Sequence, residues 1–435
     1  MNLLPPGIRS NVQAALARLL NDRRITSGLI WSLLATVAGR SAGLVSAIVL
    51  SRGLGKEAFG EFSIIQSTIL TFGVFAGFGA GLTATKHIAE TFRANPVRSG
   101  RILALATALA CAFGGMMTAA LYAGSPLIAD KMLSSPELAP FLRIASLSII
   151  ASSLSGAQSG ALAGFEAFRK LSRVNIYSGL SGVAAVAGGL ALGGLRGALW
   201  GYNLAAVIAC FLGAVALASV TREKGVSTDY RGCMREWPVL WRFSLPTMLA
   251  NSLVTPAAWV CNTMLVSRPG GFSEMAVYNI VTQWRQLLLF LPGIAAQVFL
   301  PIMASQASED GQRSMRSFYG KINILVTAPF LIALSVLSPF IMALYGENYS
   351  GQWVVFVVVQ AATFMQIVQS PVMTAWVADG RMWTNFAANA FWGAALIVLS
   401  WLLIELGALG LALALLASFL LYFLIIKVAQ WRTIS

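Results

Sequence analysis

The chain has 435 residues, of which 57% are hydrophobic and only 11% charged, with a formal net charge of +14. That balance lies far outside soluble globular averages and marks an integral membrane protein. Its basic residues are scattered through short loops between apolar runs, which fits membrane-topology determinants and excludes nucleic acid as a partner.

The apolar runs are long and lack the ten-residue alternation of a barrel, so the spanning elements are expected to be helices and the fold all-α. Residues 1–24 place Ile8, Val12, Ala15, Leu16, Leu19 and Leu20 at helical spacing, with Arg9 and Arg18 between them. An interfacial amphipathic helix on the cytoplasmic side is expected there. The basic residues follow the apolar ones, which is not the order of a secretory signal peptide.

Twelve spans follow, near 26–50, 60–84, 102–123, 141–164, 174–194, 198–219, 243–267, 276–303, 320–344, 353–377, 383–404 and 408–428. With the N-terminus inside, 22 of the 30 Lys and Arg residues fall in inner segments, six in outer segments and two, Arg40 and Arg285, within spans. This bias predicts a multi-pass protein with both termini cytoplasmic.

In the first span Arg40 stands near the middle of the apolar run, where insertion into lipid costs about 2.5–3.5 kcal/mol. Such a residue usually faces a polar cavity or a partner. Beside it, Ser32, Thr36, Gly39, Gly43 and Ser46 form one helical stripe. Small residues at this spacing serve either close helix packing or a cavity wall, and the sequence leaves both open. Arg52, just beyond the first span, and Arg268, just beyond the seventh, occupy corresponding places; they are outer-gate candidates, with simple solvation as the alternative.

The longest polar interruption, Thr221 to Trp237, falls near the midpoint. It predicts an N-lobe over 25–220, a cytoplasmic linker over 221–240 and a C-lobe over 241–435. Internal similarity supports a duplication. SRGLGKEAFGEF at Ser51 lies over SRPGGFSEMAVY at Ser267, an offset of 216. FRKLSRVN at Phe168 lies over GRMWTNFAAN at Gly380 with Arg169 and Arg381 offset by 212, and GLRGA at Gly194 over GALGL at Gly407 with an offset of 213. Six spans per half give the halves the same orientation, and such repeats hold substrate between them.

In the eighth span Asn279, Thr282, Gln283, Gln286, Gly293 and Gln297 form a second polar stripe. Arg285 stands roughly 110° from its centre by the helical period, which would turn it toward its own lobe. All sixteen acidic residues lie at span ends or in loops. The membrane interior thus offers arginine and no carboxylate, which favours an anionic substrate. Cys111, Cys210, Cys233 and Cys261 have no close spacing, so neither a disulfide framework nor a metal site is expected, and no GxxxxGK[ST] phosphate loop occurs. No cofactor and no catalytic residue are expected.

VLSRGLGKEAFGEFSIIQS from Val49 resembles the first-hairpin signature of polysaccharide flippases in the multidrug/oligosaccharidyl-lipid/polysaccharide (MOP) exporter superfamily. The likeness continues through GALAGFEAFRKLSRVN from Gly160, FLPGIAAQVFLPIMASQ from Phe290, ALYGENYSGQW from Ala343 and GRMWTNFAAN followed by LGALGLALA. It implies two pseudo-symmetric six-helix lobes, MATE-like, around a central cavity in the bacterial inner membrane. It implies export of undecaprenyl-pyrophosphate-linked oligosaccharides by alternating access, for O-antigen, capsule or exopolysaccharide, with polymerase and glycosyltransferases as partners besides membrane lipids.

A pyrophosphate needs cations and sugar hydroxyls need amides or hydroxyls. Arg40, Arg285, Thr36, Asn279, Gln283, Gln286 and Gln297 are therefore the expected cavity residues. Two rivals remain. A multidrug or small-molecule exporter of the same superfamily would be expected to carry embedded Asp or Glu. A membrane-embedded glycosyltransferase would be expected to carry acidic clusters and large outer loops.

Overall fold

The computed structural model describes residues 23–239, 244, 252–304, 309–379 and 381–432. The amphipathic helix expected over 1–24 lies almost wholly outside the described residues, as do the side chains of Thr36 and Gln297. The described residues are almost entirely helical and contain no strand, as the long apolar runs require. Among the described residues, seven stretches are long and apolar enough to cross a membrane.

The helices are α1 (Arg23–Gly77), α2 (Ala80–Thr91), α3 (Pro96–Leu127), α4 (Ala139–Ser146), α5 (Ser148–Gly164), α6 (Phe168–Glu223), α7 (Val254–Val266), α8 (Gly271–Ala304), α9 (Glu309–Val336), α10 (Ser338–Leu344), α11 (Trp353–Ala378), α12 (Met382–Leu403) and α13 (Gly407–Arg432). Three of these stretches are 55, 56 and 44 residues long and hold two expected spans each, joined at glycine turns. α1 breaks at Gly55 and α6 at Gly193 and Gly194. α12 passes to α13 through a single short turn ending at Gly407. The fourth expected span is divided at Leu147 and the ninth at Leu337, where α4 meets α5 and α9 meets α10.

The chain forms two compact units, Ser27–Ser273 and Glu274–Ser435. In the first, α5 packs against α2, α3 and α6. Ala80, Ala84 and Ile88 of α2, Phe92 just after it and Ile102 to Ala106 of α3 close a core with Ala157 and Ala161 of α5 and Phe165 just beyond it. α7 is bound to α1 within this unit: Trp259 Nε1 donates to Thr68 Oγ1 at 2.9 Å and Asn262 Nδ2 to Ser67 Oγ at 2.9 Å. In the second unit, α11 packs against α9 and α13, and α12 against α13.

The midpoint segment is docked and not a free tether. Val226 and Cys233 belong to the core of the first unit. Arg98 and Arg101 of α3 pair with Glu236 and Asp229, each at 3.1 Å, and Lys170 pairs with Glu223 at 2.5 Å. The Glu236 and Asp229 pairs are partly buried and stand beside the apolar anchoring by Val226 and Cys233, so both hold the docking. The Asp229 carboxylate accepts the Gly232 N–H at 2.8 Å and the Arg101 Nε–H at 3.1 Å, which holds its pKa below the ordinary Asp value of 3.8. A depressed carboxylate stabilises the fold above its ordinary pKa and loses that contribution as pH falls through the lowered one. Protection factors of the amides over 226–239, with the intrinsic pH dependence of exchange divided out, are therefore expected to stay constant from neutral pH down to about pH 5 and to fall only in stronger acid. Loosening between pH 7 and 5 would assign the docking to another group.

Candidate functional site

Of the arginines, Arg40 and Arg285 are the two that fall within expected spans, one in each compact unit. Arg40 is half-buried on the first limb of α1. α6 approaches that limb from one side: a Cβ at Gly179 would stand 3.1 Å from the Ala42 Cβ, with the Gly39 Cα and the Ala38 carbonyl just beyond. Gly39 and Gly43 are exposed, and a Cβ added at either would meet nothing within 4 Å. At these two positions the Cβ direction is open, although α6 passes close to the Gly39 backbone. Thr36 lies one turn before Arg40 on the same helix.

In the second unit, successive residues of α8 point in different directions, as 100° steps require. Gln283 turns back along the helix, its Nε2 donating to Asn279 Oδ1 at 2.6 Å, and Thr282 Oγ1 donates to the Asn279 carbonyl. Trp284 Nε1 donates to the Tyr345 hydroxyl at 3.0 Å. Gln286 is exposed.

Arg285 turns away from the stripe, as its angular offset predicts. Its Nη2 donates to Gln366 Oε1 on α11 at 2.5 Å, and its guanidinium carbon stands 5.8 Å from the centre of the Phe419 ring on α13. Its Nε is buried without a hydrogen-bond partner, and no ion pair among the described residues involves it. The guanidinium is thus held by an amide oxygen and an aromatic face, neither of which neutralises it.

The same helices supply further buried polar groups. Gln369 Nε2 donates to the Phe419 carbonyl at 2.7 Å, and Asn323 Nδ2 on α9 to Ser370 Oγ at 2.9 Å. Gln360 is 2% exposed with both amide atoms lacking a partner. Gln366, Gln369 and Phe419 are not among the residues that sequence reasoning singled out. Three glutamines within the apolar run VVFVVVQAATFMQIVQSPV are the signal that would have found the first two.

Arg52 is exposed at the end of the first limb of α1, and Arg268 is half-buried just after α7. Among the described residues, no group of three or more His, Cys, Asp or Glu is placed to hold a metal ion. The arrangement therefore offers cations, amides and hydroxyls within helices of membrane length: a chemistry of binding an anion and hydroxyl groups.

A profile described as "polysaccharide biosynthesis protein" matches residues 25–307. The chain is 26% identical over 406 residues to the EPS I polysaccharide export inner membrane protein EpsE of Ralstonia solanacearum, covering 89% of this chain and 90% of the relative. Among solved structures, an inward-facing multidrug-resistance MATE family transporter of the MOP superfamily superposes with a TM-score of 0.76 at 13% identity, over 93% of this chain and 99% of that one. The lipid II flippase MurJ in an inward closed conformation superposes with a TM-score of 0.70 at 16% identity, over 91% of this chain and 87% of that one. At these identities the structural likeness establishes the fold.

Proposed function

Since the chain belongs to the polysaccharide biosynthesis protein family and has the fold of the MOP exporters, we propose that it flips an undecaprenyl-pyrophosphate-linked oligosaccharide across the bacterial inner membrane. The observation that carries the anionic substrate is Arg285, a guanidinium inside a membrane-length helix whose recorded contacts leave its charge intact. In this reading two lobes, 25–220 and 241–435, alternate access to a central cavity with both termini cytoplasmic. Arg40 and Arg285 receive the pyrophosphate. Thr36, Asn279, Gln283, Gln286 and Gln297 receive sugar hydroxyls, and the polyprenyl tail stays in lipid.

An inside-negative potential draws the anion outward by about 2.3 kcal/mol per charge per 100 mV, which suits a protein without an embedded carboxylate for ion coupling. Arg52 and Arg268 stand as outer-gate residues. The product would pass to a polysaccharide polymerase, and glycosyltransferases would supply the substrate. The relative named for polysaccharide export in the inner membrane supports this direction of transport.

The test is the pool of lipid-linked sugar in a deletion strain, extracted for mass spectrometry with sidedness probed in spheroplasts. Undecaprenyl-linked oligosaccharide is expected to accumulate on the cytoplasmic face. A plasmid bearing Arg40→Ala is expected to give normal protein levels without clearing it. An unchanged pool, with drug hypersensitivity in its place, would replace this reading by drug export.

A further inference from the structure

Arg285 would ordinarily be partnered inside a membrane by a carboxylate, since an unneutralised charge at that depth is costly. Its recorded partners are instead the Gln366 amide oxygen at 2.5 Å and the Phe419 ring at 5.8 Å. Both attract a guanidinium and neither removes its charge. Phe419 is itself fixed, 6% exposed and stacked at a tilt on Trp392 at 5.3 Å, and Gln369 holds its backbone carbonyl at 2.7 Å. The Nε–H edge of the guanidinium is buried and carries no hydrogen bond. An oriented, charged donor with an unfilled edge is an anion receptor in its resting form.

We infer that Gln366 is a positioning residue for anion recognition: it holds the Arg285 guanidinium against Phe419 by a neutral acceptor, so that the charge stays available to the substrate's pyrophosphate. The inference rests on the flippase reading and deepens it by explaining why an amide stands where a carboxylate would bind more strongly. A carboxylate at position 366 would form an internal ion pair with Arg285 and compete with the incoming phosphates. An amide exchanges with them at lower cost, because it leaves no charge unpaired when the guanidinium moves.

The experiment uses full-length protein in nanodiscs, with undecaprenyl pyrophosphate as the charged probe and undecaprenol as the neutral one. Gln366→Glu is expected to raise or preserve the thermal midpoint of the protein without added undecaprenyl lipid. It is expected to weaken undecaprenyl pyrophosphate binding by about tenfold, the equivalent of one buried charge-assisted contact, and to leave undecaprenol binding unchanged. Gln366→Met removes the acceptor without adding charge. It is expected to lower the midpoint and to cut the preference for the pyrophosphate lipid by about threefold or more, because the guanidinium is no longer held in place. A merely structural role would weaken both lipids together and make the two variants alike, which would overturn the inference. Wild-type protein that binds the two lipids equally would instead sink the flippase reading, whereas a wild-type preference retained undiminished in Gln366→Glu would overturn the role of Gln366 alone.

Discussion

Gly197→Val is expected to leave little folded protein, with the size-exclusion profile in detergent shifted from a single sharp peak to aggregate. The reason is the closeness of the two limbs of α6, which fold back at Gly193 and Gly194. A Cβ on Gly197 would stand 1.9 Å from the Gly189 carbonyl oxygen, and one on Gly189 would stand 2.1 Å from that of Gly197. One turn on, a Cβ on Gly201 would stand 2.2 Å from the Ala185 carbonyl oxygen. Real Cβ atoms do not approach backbone oxygens so closely, and no side chain lies between to yield. The limbs would have to separate along their whole contact, at a cost of about 3 kcal/mol or more. In lipid, small-residue packing is the main attraction between helices, so the loss is not recovered elsewhere. Gly188→Ala is the control: nothing lies within 4 Å of its Cβ, and alanine in a helix interior is favoured over glycine by up to about 1 kcal/mol. A valine variant that elutes and melts like wild type would remove this account of the hairpin.

The hairpin also shows what could be read from the sequence. Gly197 and Gly201 stand four apart in an apolar run, a spacing that allows close helix contact, while Gly193 lies in the turn and Gly189 on the facing limb. Membrane-length helices were legible for the same kind of reason, because bilayer thickness fixes how long an apolar run must be. The stripe of Gly39 and Gly43 has similar local chemistry, yet a Cβ added at either would meet nothing within 4 Å. Spacing gives a face; it does not say what covers that face.

Arg285 marks the same boundary. The helical period placed it off the polar stripe of α8, and the structure turns it to Gln366 and Phe419. The partners themselves lie on α11 and α13, far along the chain, and only tertiary packing brings them to α8. For Asn279 and Gln283 the partner is one turn away on the same helix, a pairing the period contains.

Gly407→Ala is expected to destabilise the protein more than Gly194→Ala, although the two positions correspond across the internal repeat. Their backbones adopt nearly the same conformation, φ 55° and ψ −135° at Gly194, φ 61° and ψ −135° at Gly407. The two turns 213 residues apart thus share backbone conformation as well as glycine. Alanine in this region stores about 1–3 kcal/mol of backbone strain at either site. At Gly194 nothing lies within 4 Å of the added Cβ, so strain is the whole effect. At Gly407 the Cβ would stand 2.8 Å from Glu274 Oε2, the oxygen that accepts the Ala408 N–H at 3.0 Å. That carboxylate caps the first turn of α13 from α8 and sits at the positive end of its dipole. Displacing it adds about 0.5–2 kcal/mol to the strain, so the second substitution should lower the thermal midpoint further than the first. Glu274→Gln keeps an acceptor and loses the charge, and its midpoint is expected to fall by less than that of Gly407→Ala. Equal losses at Gly194 and Gly407 would mean that the Glu274 bond contributes nothing to α13, leaving backbone strain as the sole demand on both turns.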